Sequence, residues 1–573
     1  MPRANDAVEA VLQEYADLLS ILSEDPFKAR AYEKAARAVG GYPADIAGFD
    51  LQRILEIPNV GRSIGEKIHE FLRTGRIAAL EELRAKIPPG VREMIRIPGL
   101  GPKRAMVLYR ELGVASVDEL LRAIDEGRLA GLRGFGPKTA ENIRAGIERL
   151  RGAGGRVLLS VALDLAESLE ERLQEVPGVE RVAHAGSLRR MCETIGDVDL
   201  LVASRDPGPV MDAFTALPEV RQVLAKGDTK SSVVTEAGVQ VDLRVVPPEV
   251  WGAAMLYFTG SKAHNIRIRE IAVRKGLKLN EYGLFRAKSG RLVVAATEEE
   301  VYERLGLPWI PPTLREDRGE IEAAQAGTLP ELVTERDIRG DLHTHTNLTD
   351  GLATLEQMLE AAARRGYAYY AVTDHAPNLA MQRMTDEKML EQRRRLRALQ
   401  ARYPKMTLLH GSELNIDPEG GVDWPPEFLE GFDVCVASVH SHFNQPKDAM
   451  TRRLIRAMEN PHVHIIGHPT ARLIGRREPI EFDLDEVFRA AARTGTALEI
   501  NAFPDRLDLK DEHIAWARRY GVRFAVDTDA HATPHLDVMR YGVATAQRGW
   551  LTKDEVINAW PLARLRRFLR KGR

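Results

Sequence analysis

Two short runs in the chain place ligand-type side chains two residues apart: Asp197 and Asp199 in "GDVDLL", and His343 and His345 in "GDLHTHTNLTDG". On a strand that spacing puts both side chains on one face. Two carboxylates converging there repel unless a cation sits between them, and an oxygen-only set favours Mg²⁺ or Mn²⁺. Asp242 in "VQVDLRVV" belongs to a later strand. Paired beside the first, it supplies a third carboxylate, and three such acids can hold two ions for in-line phosphoryl transfer. Acid pairs of this kind also occur on solvated strands. The Gly186-Ser187 pair shortly upstream tips the balance, because it offers a backbone N–H and a hydroxyl to phosphates that Arg190 would neutralise.

The histidine run belongs to a larger set. Asp350 follows it, and later strand ends carry Asp374-His375, Glu413, His440, His468, and Asp529 with His531. One buried histidine is usually a hydrogen-bonded core residue. A whole set of histidines and acids recurring at strand ends is hard to reconcile with packing, since each buried polar group needs a partner. A metal cluster satisfies all of them, and mixed His/carboxylate sets suit Zn²⁺, Mn²⁺ or Fe. Arg472, Arg476 and Arg477 are either phosphate contacts or surface charges.

These clusters must be carried by folded domains. A chain of 573 residues exceeds what one core serves, so three to five domains are expected. Hydrophobic residues at 44% and charged residues at 29% describe a globular protein. No run approaches the roughly 20 apolar residues a membrane span needs. The start "MPRANDAVEA" lacks an apolar signal core, and a cytoplasmic location is expected. Two cysteines, Cys192 and Cys435, cannot build a disulfide framework. A net charge of −2 excludes a uniformly basic nucleic-acid binder, but "RLRRFLRKGR" and "GSKAHNIRIR" allow local basic surfaces.

Residues 1 to about 150 read as helical, with apolar positions three and four apart. A pattern recurs there: "IPNVGRSIGEKI", "IPGLGPKRAMVL" and "LRGFGPKTAENI". Each is a glycine turn opening a helix, whose free N–H groups can hold a phosphate. Gly61, Gly101 and Gly136 let a backbone approach, and Lys103 and Lys138 add charge; a plain capped junction is the alternative for any one copy. From about 156, β-branched alternation marks strands. Residues 318–337 are polar and read as a connector. From about 338 to the end, short apolar strands alternate with amphipathic helices, the rhythm of an α/β barrel whose strand C-termini carry the chemistry.

The stretch "GSLRRMCETIGDVDLLV" closely resembles the palm motif of family X DNA polymerases, the nucleotidyltransferases related to DNA polymerase beta. "YFTGSKAHN", "GLKLNEYGLF" and "LGLPWIPPTLRED" resemble that family's nucleotide-binding segment and the end of its thumb. The resemblance implies that Asp197 and Asp199 bind both metals and that Asp242 serves the catalytic one. Ser187 and Arg190 would hold the triphosphate beside Gly186. Tyr257, Phe258 and Gly260 would bound sugar and base, with Asn265 near the base edge. "VGRSIGEKIHEFLRTG" resembles the family's lyase segment and puts Lys67 at the Schiff-base position, while Ser63 stands where a basic 5′-phosphate contact is expected. The glycine repeats look like helix-hairpin-helix motifs. The C-terminal part resembles the PHP (polymerase and histidinol phosphatase) domain, a distorted (β/α)7 barrel with a trinuclear metal site. Its nine ligand positions are filled by His343, His345, Asp350, His375, Glu413, His440, His468, Asp529 and His531, with Glu413 bridging.

The expected architecture is therefore multidomain α+β and α/β. A lyase-like helix-hairpin-helix domain spans 1–88 and a second helical DNA-binding subdomain 89–152. A palm with a mixed β-sheet spans 153–247, a thumb 248–317, a linker 318–337 and the PHP barrel 338–573. The expected activity is DNA polymerisation that fills short gaps in repair, with 3′→5′ exonuclease or end-processing chemistry at the barrel. The expected partners are gapped or nicked DNA and dNTPs, bound by a monomer, with no membrane. The competing readings are a barrel that acts as a small-molecule phosphatase, and a non-catalytic DNA-end scaffold.

Overall fold

The computed structural model describes residues 4–22, 26–40, 42, 46–87, 89–94, 97, 100, 102–132, 135–136, 139–140, 143–144, 147, 156–379 and 384–571. Helices α1 (Ala4–Leu22), α2 (Pro26–Gly40) and α3 (Arg62–Thr74) open the chain. Leu12, Leu19, Tyr32 and Ile68 are buried in one core that extends to Ile143 and Ile147. Gly75 ends α3 in the left-handed region at φ 70°, where a side chain would be strained.

Next comes a five-stranded sheet of β1 (Val179–His184), β2 (Asp197–Ser204), β3 (Val220–Lys226), β4 (Lys230–Thr235) and β5 (Gln240–Val246). Its spatial order is β1-β2-β5-β4-β3. Only the β2–β5 pair is parallel. β2 is apolar on both faces because both are covered. Val198, Leu200 and Val202 face one core, against α4 (Leu159–Gln174). Leu201, with Val246 of β5, faces α5 (Trp251–Thr259). The two-residue period therefore sends Asp197 and Asp199, and Asp242 on β5, to the α5 side of the sheet.

α5 is followed by α6 (Lys262–Arg274) and a three-stranded sheet of Leu277–Asn280, Gly283–Arg286 and Leu292–Val294. Arg315 is fully buried there. Its Nη1 lies 2.6 Å from Glu298 Oε1, and Glu298 also takes both Nη groups of Arg189, at 3.0 and 2.7 Å. Residues 318–337 are not the loose connector their polarity suggests. They include α7 (Glu320–Ala326), whose Ile321 and Ala324 join the thumb core and whose buried Glu320 sits 2.7 Å from His264 Nδ1. Glu320 alone of the polar residues there is buried, while most of the others are exposed.

The C-terminal sheet has seven parallel strands in sequential order: β6 (Gly340–Asp341), β7 (Tyr369–Val372), β8 (Thr407–Asn415), β9 (Val434–Ser438), β10 (Ile465–Ile466), β11 (Ala497–Asn501) and β12 (Phe524–Asp527). A bridge between Thr344 and Ala530 brings the ends together, with His345 N donating to Ala530 O at 2.8 Å. Tyr369, Leu409, Val436 and Ala525 share an apolar cluster that Trp560, Leu565 and Leu569 complete. The barrel is joined to the five-stranded sheet through packing, since its buried Leu507 and Tyr541 belong to that sheet's core.

The Glu298 pairing yields a stability prediction. Burial works against its charge, but Arg315 and Arg189 hold its carboxyl down at about 2. A depressed carboxylate stabilises above its unfolded value and loses that contribution as pH falls toward about 2. Glu298→Ala leaves Arg315 charged and unpaired, and is expected to cost about 3–5 kcal/mol. Hydrogen-exchange protection of residues 251–316 should fall accordingly, with the barrel unaffected.

Candidate active sites

The first site lies where β2 and β5 run side by side. Their register sets Asp199 opposite Asp242. Gly186, in the short helical turn Gly186–Arg189, presses on the same carboxylate: a Cβ there would stand 2.3 Å from Asp199 Oδ2, and φ is 61°. Glycine is therefore required twice over. Ala185 N donates to Asp199 O at 2.8 Å, which ties this turn to the strand. Asp242 accepts from Gln240 Nε2 at 2.9 Å and pairs with Lys230 Nζ at 3.2 Å.

The acids titrate unequally. Burial, then the Asp197 and Asp242 charges, push Asp199 up to about 7, against the pull of Arg244 and Lys230. Asp242 goes the other way: burial raises it, but hydrogen bonds from Gln240, Ser232 and Lys230 bring it below the usual carboxylate range. A divalent cation fits this oxygen set, since it would replace the proton that mutual repulsion leaves on Asp199.

Around the acids, Arg190 Nη1 donates to Thr259 O at 2.7 Å and its Nε to Glu316 Oε1 at 3.0 Å. Gly260 adopts φ 69° with ψ −151°, a conformation open to glycine, and a Cβ would come within 3.2 Å of Arg190 Nη1. Tyr257 and Phe258 meet edge to face at 5.1 Å, and Arg244 lies over the Phe258 ring. Asn265 Nδ2 donates to Tyr257 O at 2.7 Å, while its buried Oδ1 has no hydrogen-bond partner among the described residues. That orphaned acceptor is free for a ligand donor.

The second site gathers all nine expected ligands at the C-terminal mouth of the barrel. Glu413, fully buried on β8, is its centre. Its Oε1 lies 3.0 Å from both His440 Nε2 and His468 Nε2, and its Oε2 lies 2.9 Å from His375 Nδ1, 3.4 Å from His343 Nε2 and 3.6 Å from His345 Nε2. Asp529 Oδ1 faces His345 Nε2 at 3.2 Å and His343 Nε2 at 3.7 Å. Asp350 stands 3.4 Å from both His375 and His531.

These spacings test whether metal ions fit. Nitrogen and oxygen ligands about 2.1 Å from one ion lie about 3.0–3.5 Å from each other. Most of the separations fall there. The Nε2 atoms of His343 and His345 are buried without a hydrogen-bond partner among the described residues, as expected of ligand atoms. Three overlapping groups have the geometry to hold an ion: His345, Asp350, His375 and His531; His343, His345 and Asp529; and His375, Glu413 and His440. Burial disfavours the Glu413 charge, but His440, His343 and His375 hold its carboxyl well below the usual range. Burial likewise opposes a charged His531, yet Asp350 and Asp529 push it up to about 9. Such displaced values mark ligands facing one another across space that a cation would fill.

Several contributors were not visible in sequence. Glu499 on β11 takes His343 Nδ1 at 2.6 Å, leaving Nε2 toward the centre, and Asn501 Nδ2 donates to Asp529 Oδ2 at 3.1 Å. The alternation of "LEIN" was their only signal. Asn415 Oδ1 lies 2.7 Å from His440 Nδ1 and its amide is anchored on Asp423 at 3.1 Å. Arg472 is not a surface charge: it is buried, with Nε on the carbonyl of Arg506 and Nη2 on Glu193 and the carbonyl of Leu507. Arg477 donates to Ala471 O at 2.6 Å and covers Phe443, while burial raises the Asp17 carboxyl and the charge of Arg476 only partly offsets it.

Lys67 on α3 is half-buried, with Nζ 3.2 Å from Ser63 O and about as far from its hydroxyl. The stacked rings of Tyr15 and Tyr32 lie beside it. At Gly61 and Gly136 a Cβ would meet nothing within 4 Å, so both turns are open to an approaching backbone. Gly101, Lys138 and the side chain of Lys103 lie outside the described residues. Among the described residues no helix is long and apolar enough to cross a membrane.

An acid-lined mixed sheet joined to a histidine-rich barrel mouth defines a two-centre enzyme working on phosphoesters. Family comparisons agree in detail. Residues 254–316 match the DNA polymerase beta thumb, 3–77 a helix-hairpin-helix domain, 91–149 a tandem helix-hairpin-helix and 341–503 the PHP domain. The chain is 36% identical to the DNA polymerase/3′-5′ exonuclease PolX of Bacillus subtilis, over 98% of both proteins. Rat DNA polymerase lambda matches at 27% over 51% of this chain and 53% of its own length. A probable phosphatase of Thermoanaerobacter matches at 29% over 40% of this chain and 94% of its own. The chain belongs to the family X DNA polymerases that carry a C-terminal PHP domain. Both parts of that family are metal-dependent.

Two outcomes follow from the geometry. With its folded value raised to about 7, Asp199 favours the metal-free fold at low pH, and that contribution is lost as pH rises through about 7. The rise in melting temperature on adding Mg²⁺ is therefore expected to grow between about pH 6 and 8. Asp199→Asn should remove that growth. At the barrel, Asn415→Ala unties His440 and is expected to weaken metal retention about 10–100-fold against a competing chelator.

Proposed function

We propose that the chain fills short gaps in DNA during repair by two-metal nucleotidyl transfer, and that its barrel trims 3′ ends as a 3′→5′ exonuclease. The observation that supports the polymerase reading most directly is the β2–β5 register, which sets Asp199 opposite Asp242 beneath the Gly186 turn. In this reading Asp197, Asp199 and Asp242 hold two Mg²⁺ or Mn²⁺ ions, which supply charge neutralisation at the reacting phosphate. Asp242, oriented by Gln240 and Lys230, helps draw the proton from the primer 3′-hydroxyl. The hydroxyl oxygen bonds to the α-phosphorus of the dNTP and pyrophosphate leaves. Ser187 and Arg190 hold the triphosphate, with Gly186 allowing the close approach. Gly260, Tyr257 and Phe258 bound the sugar, and the unpaired Asn265 Oδ1 faces the base edge. The open turns at Gly61 and Gly136 grip the DNA backbone without reading sequence, helped by Gly101, Lys103 and Lys138. Lys67, beside the Tyr15 and Tyr32 rings, is the amine for an abasic-site aldehyde.

At the barrel, His343, His345, Asp350, His375, Glu413, His440, His468, Asp529 and His531 hold up to three ions, Zn²⁺, Mn²⁺ or Fe. These ions supply activated water for phosphodiester cleavage. Glu499 and Asn415 fix the ring orientations of His343 and His440. The likeness to a probable phosphatase, over 40% of this chain, supports a second reading in which the barrel alone hydrolyses a small phosphoester.

One preparation tests both. Asp242→Ala is expected to abolish primer extension on gapped DNA, a loss of at least about 10³-fold, while primer degradation in Mn²⁺ persists. His440→Ala should do the reverse. Primer extension surviving in Asp242→Ala would sink the palm assignment. Wild-type protein that leaves a labelled primer intact would favour the phosphatase reading.

A further inference from the structure

The polymerase and barrel halves meet at a shared carboxylate. α8 (Asp511–Arg518) and α9 (Met539–Arg548) belong to the barrel, and Arg548 ends α9. One side of its guanidinium grips Asp511 Oδ2, through Nε at 3.0 Å and Nη2 at 2.8 Å. That fork fixes the ring of nitrogens and aims Nη1 out of the barrel. Nη1 crosses into the polymerase half, where it donates to the backbone carbonyl of Arg190 at 2.7 Å and to Glu316 Oε1 at 2.9 Å. Glu316 Oε1 is also the atom that Arg190 Nε holds at 3.0 Å. Arg548 and Glu316 are both largely buried, at 9% and 17% side-chain exposure, so solvent screens this network little. Burial opposes the Glu316 charge, and Arg548, ahead of Arg190, keeps its carboxyl below the usual range.

Two physical effects converge on Arg190. First, Arg548 ties down the backbone of the residue that leads into the turn Met191–Thr194. A cavity of about 210 Å³, lined by Cys192, Glu193, Thr194 and Lys510, flanks this turn and gives it room to shift once untied. Second, Arg548 takes a share of the Glu316 carboxylate. Without it the full negative charge faces Arg190 alone and competes with phosphate for that guanidinium. In the folded chain Arg190 Nη1 is already on Thr259 O, and among the described residues Nη2 has only the distant Cys192 sulfur at 4.0 Å. Nη2 is the end left for a ligand.

We propose that Arg548, a residue of the barrel, is a positioning residue for the incoming nucleotide: it pins the Arg190 backbone, neutralises Glu316 and so keeps Arg190 available to the triphosphate. This rests on the reading of Arg190 as a triphosphate contact given above. It assigns the PHP domain a part in nucleotide binding that is separate from its own chemistry.

Steady-state gap filling by the full-length protein, with dNTP varied on a gapped duplex, tests it. Arg548→Ala is expected to raise KM for dNTP about tenfold, the weight of one charge-assisted contact, with kcat and the rate of primer degradation little changed. Glu316→Gln added to Arg548→Ala removes the competing charge and should bring KM back most of the way. A merely structural role would give no such rescue. Asp511→Asn loosens the fork and should raise KM in the same direction, which keeps the test open if Arg548→Ala folds poorly. An unchanged KM in Arg548→Ala, or in Asp511→Asn where the first variant fails to fold, overturns the proposal, and so does a raised KM that Glu316→Gln leaves in place. Arg190→Ala run in parallel separates the two layers. If it leaves KM unchanged, the triphosphate reading itself fails. If it raises KM while Arg548→Ala does not, only the coupling falls.

Discussion

Acidic groups crowded on strand ends, where burial makes their charges costly, are the constraint on which both catalytic halves depend. A lone buried carboxylate would take up a proton or find a cation. In the polymerase half the sheet register sets Asp199 against Asp197 and Asp242, and burial, with those two charges added, raises its pKa. In the barrel half Glu413 meets five histidines within 3.6 Å. The surrounding structure holds these groups where they would not sit unaided. The Gly186 turn braces Asp199, Glu499 orients His343, and Asn501 braces Asp529. The two halves solve one problem with different ligand chemistry: oxygen alone on the sheet, imidazole mixed with carboxylate at the barrel mouth.

The ligand types and their alternation could be read directly from the chain because strand periodicity is local. Asp197/Asp199 and His343/His345 announce a shared face by spacing alone. The barrel rhythm was legible for the same reason. Residues that act through long-range contacts were not. Asn415 matters because its amide reaches His440, and nothing in "SELNID" says so. Glu298, Arg189 and Arg315 form a trio around two buried members, from segments more than a hundred residues apart in the widest pair. The polar run 318–337 gave no sign of the helix Glu320–Ala326 within it, or of Glu320 buried against His264. Nor did Arg472 announce that its charge answers Glu193 in the neighbouring domain.

Domain joints of this kind usually leave relative motion as the default. Here the joint is partly a core. Leu507 and Tyr541 sit inside the polymerase half's apolar cluster, and Arg540 reaches Asp164 and Glu167 at 3.0 Å. The Arg548 junction lies within this surface, so the polymerase sheet and the barrel behave as one packed unit, and a fork such as that of Arg548 can hold a fixed position against Arg190.

The sequential strand order of the barrel also bears on how the protein is made. The first strand's neighbourhood is completed by the last: Leu342 N donates to Asp527 across 185 residues, and His343 and His345 face Asp529. During synthesis the earliest ligands must wait, exposed, until nearly the whole barrel has emerged. Such long-range closure is the slow kind of folding step. The two ligand groups that use Asp529 or His531 can therefore assemble only late in the life of the chain, whereas His375, Glu413 and His440 are all present before the last strands emerge.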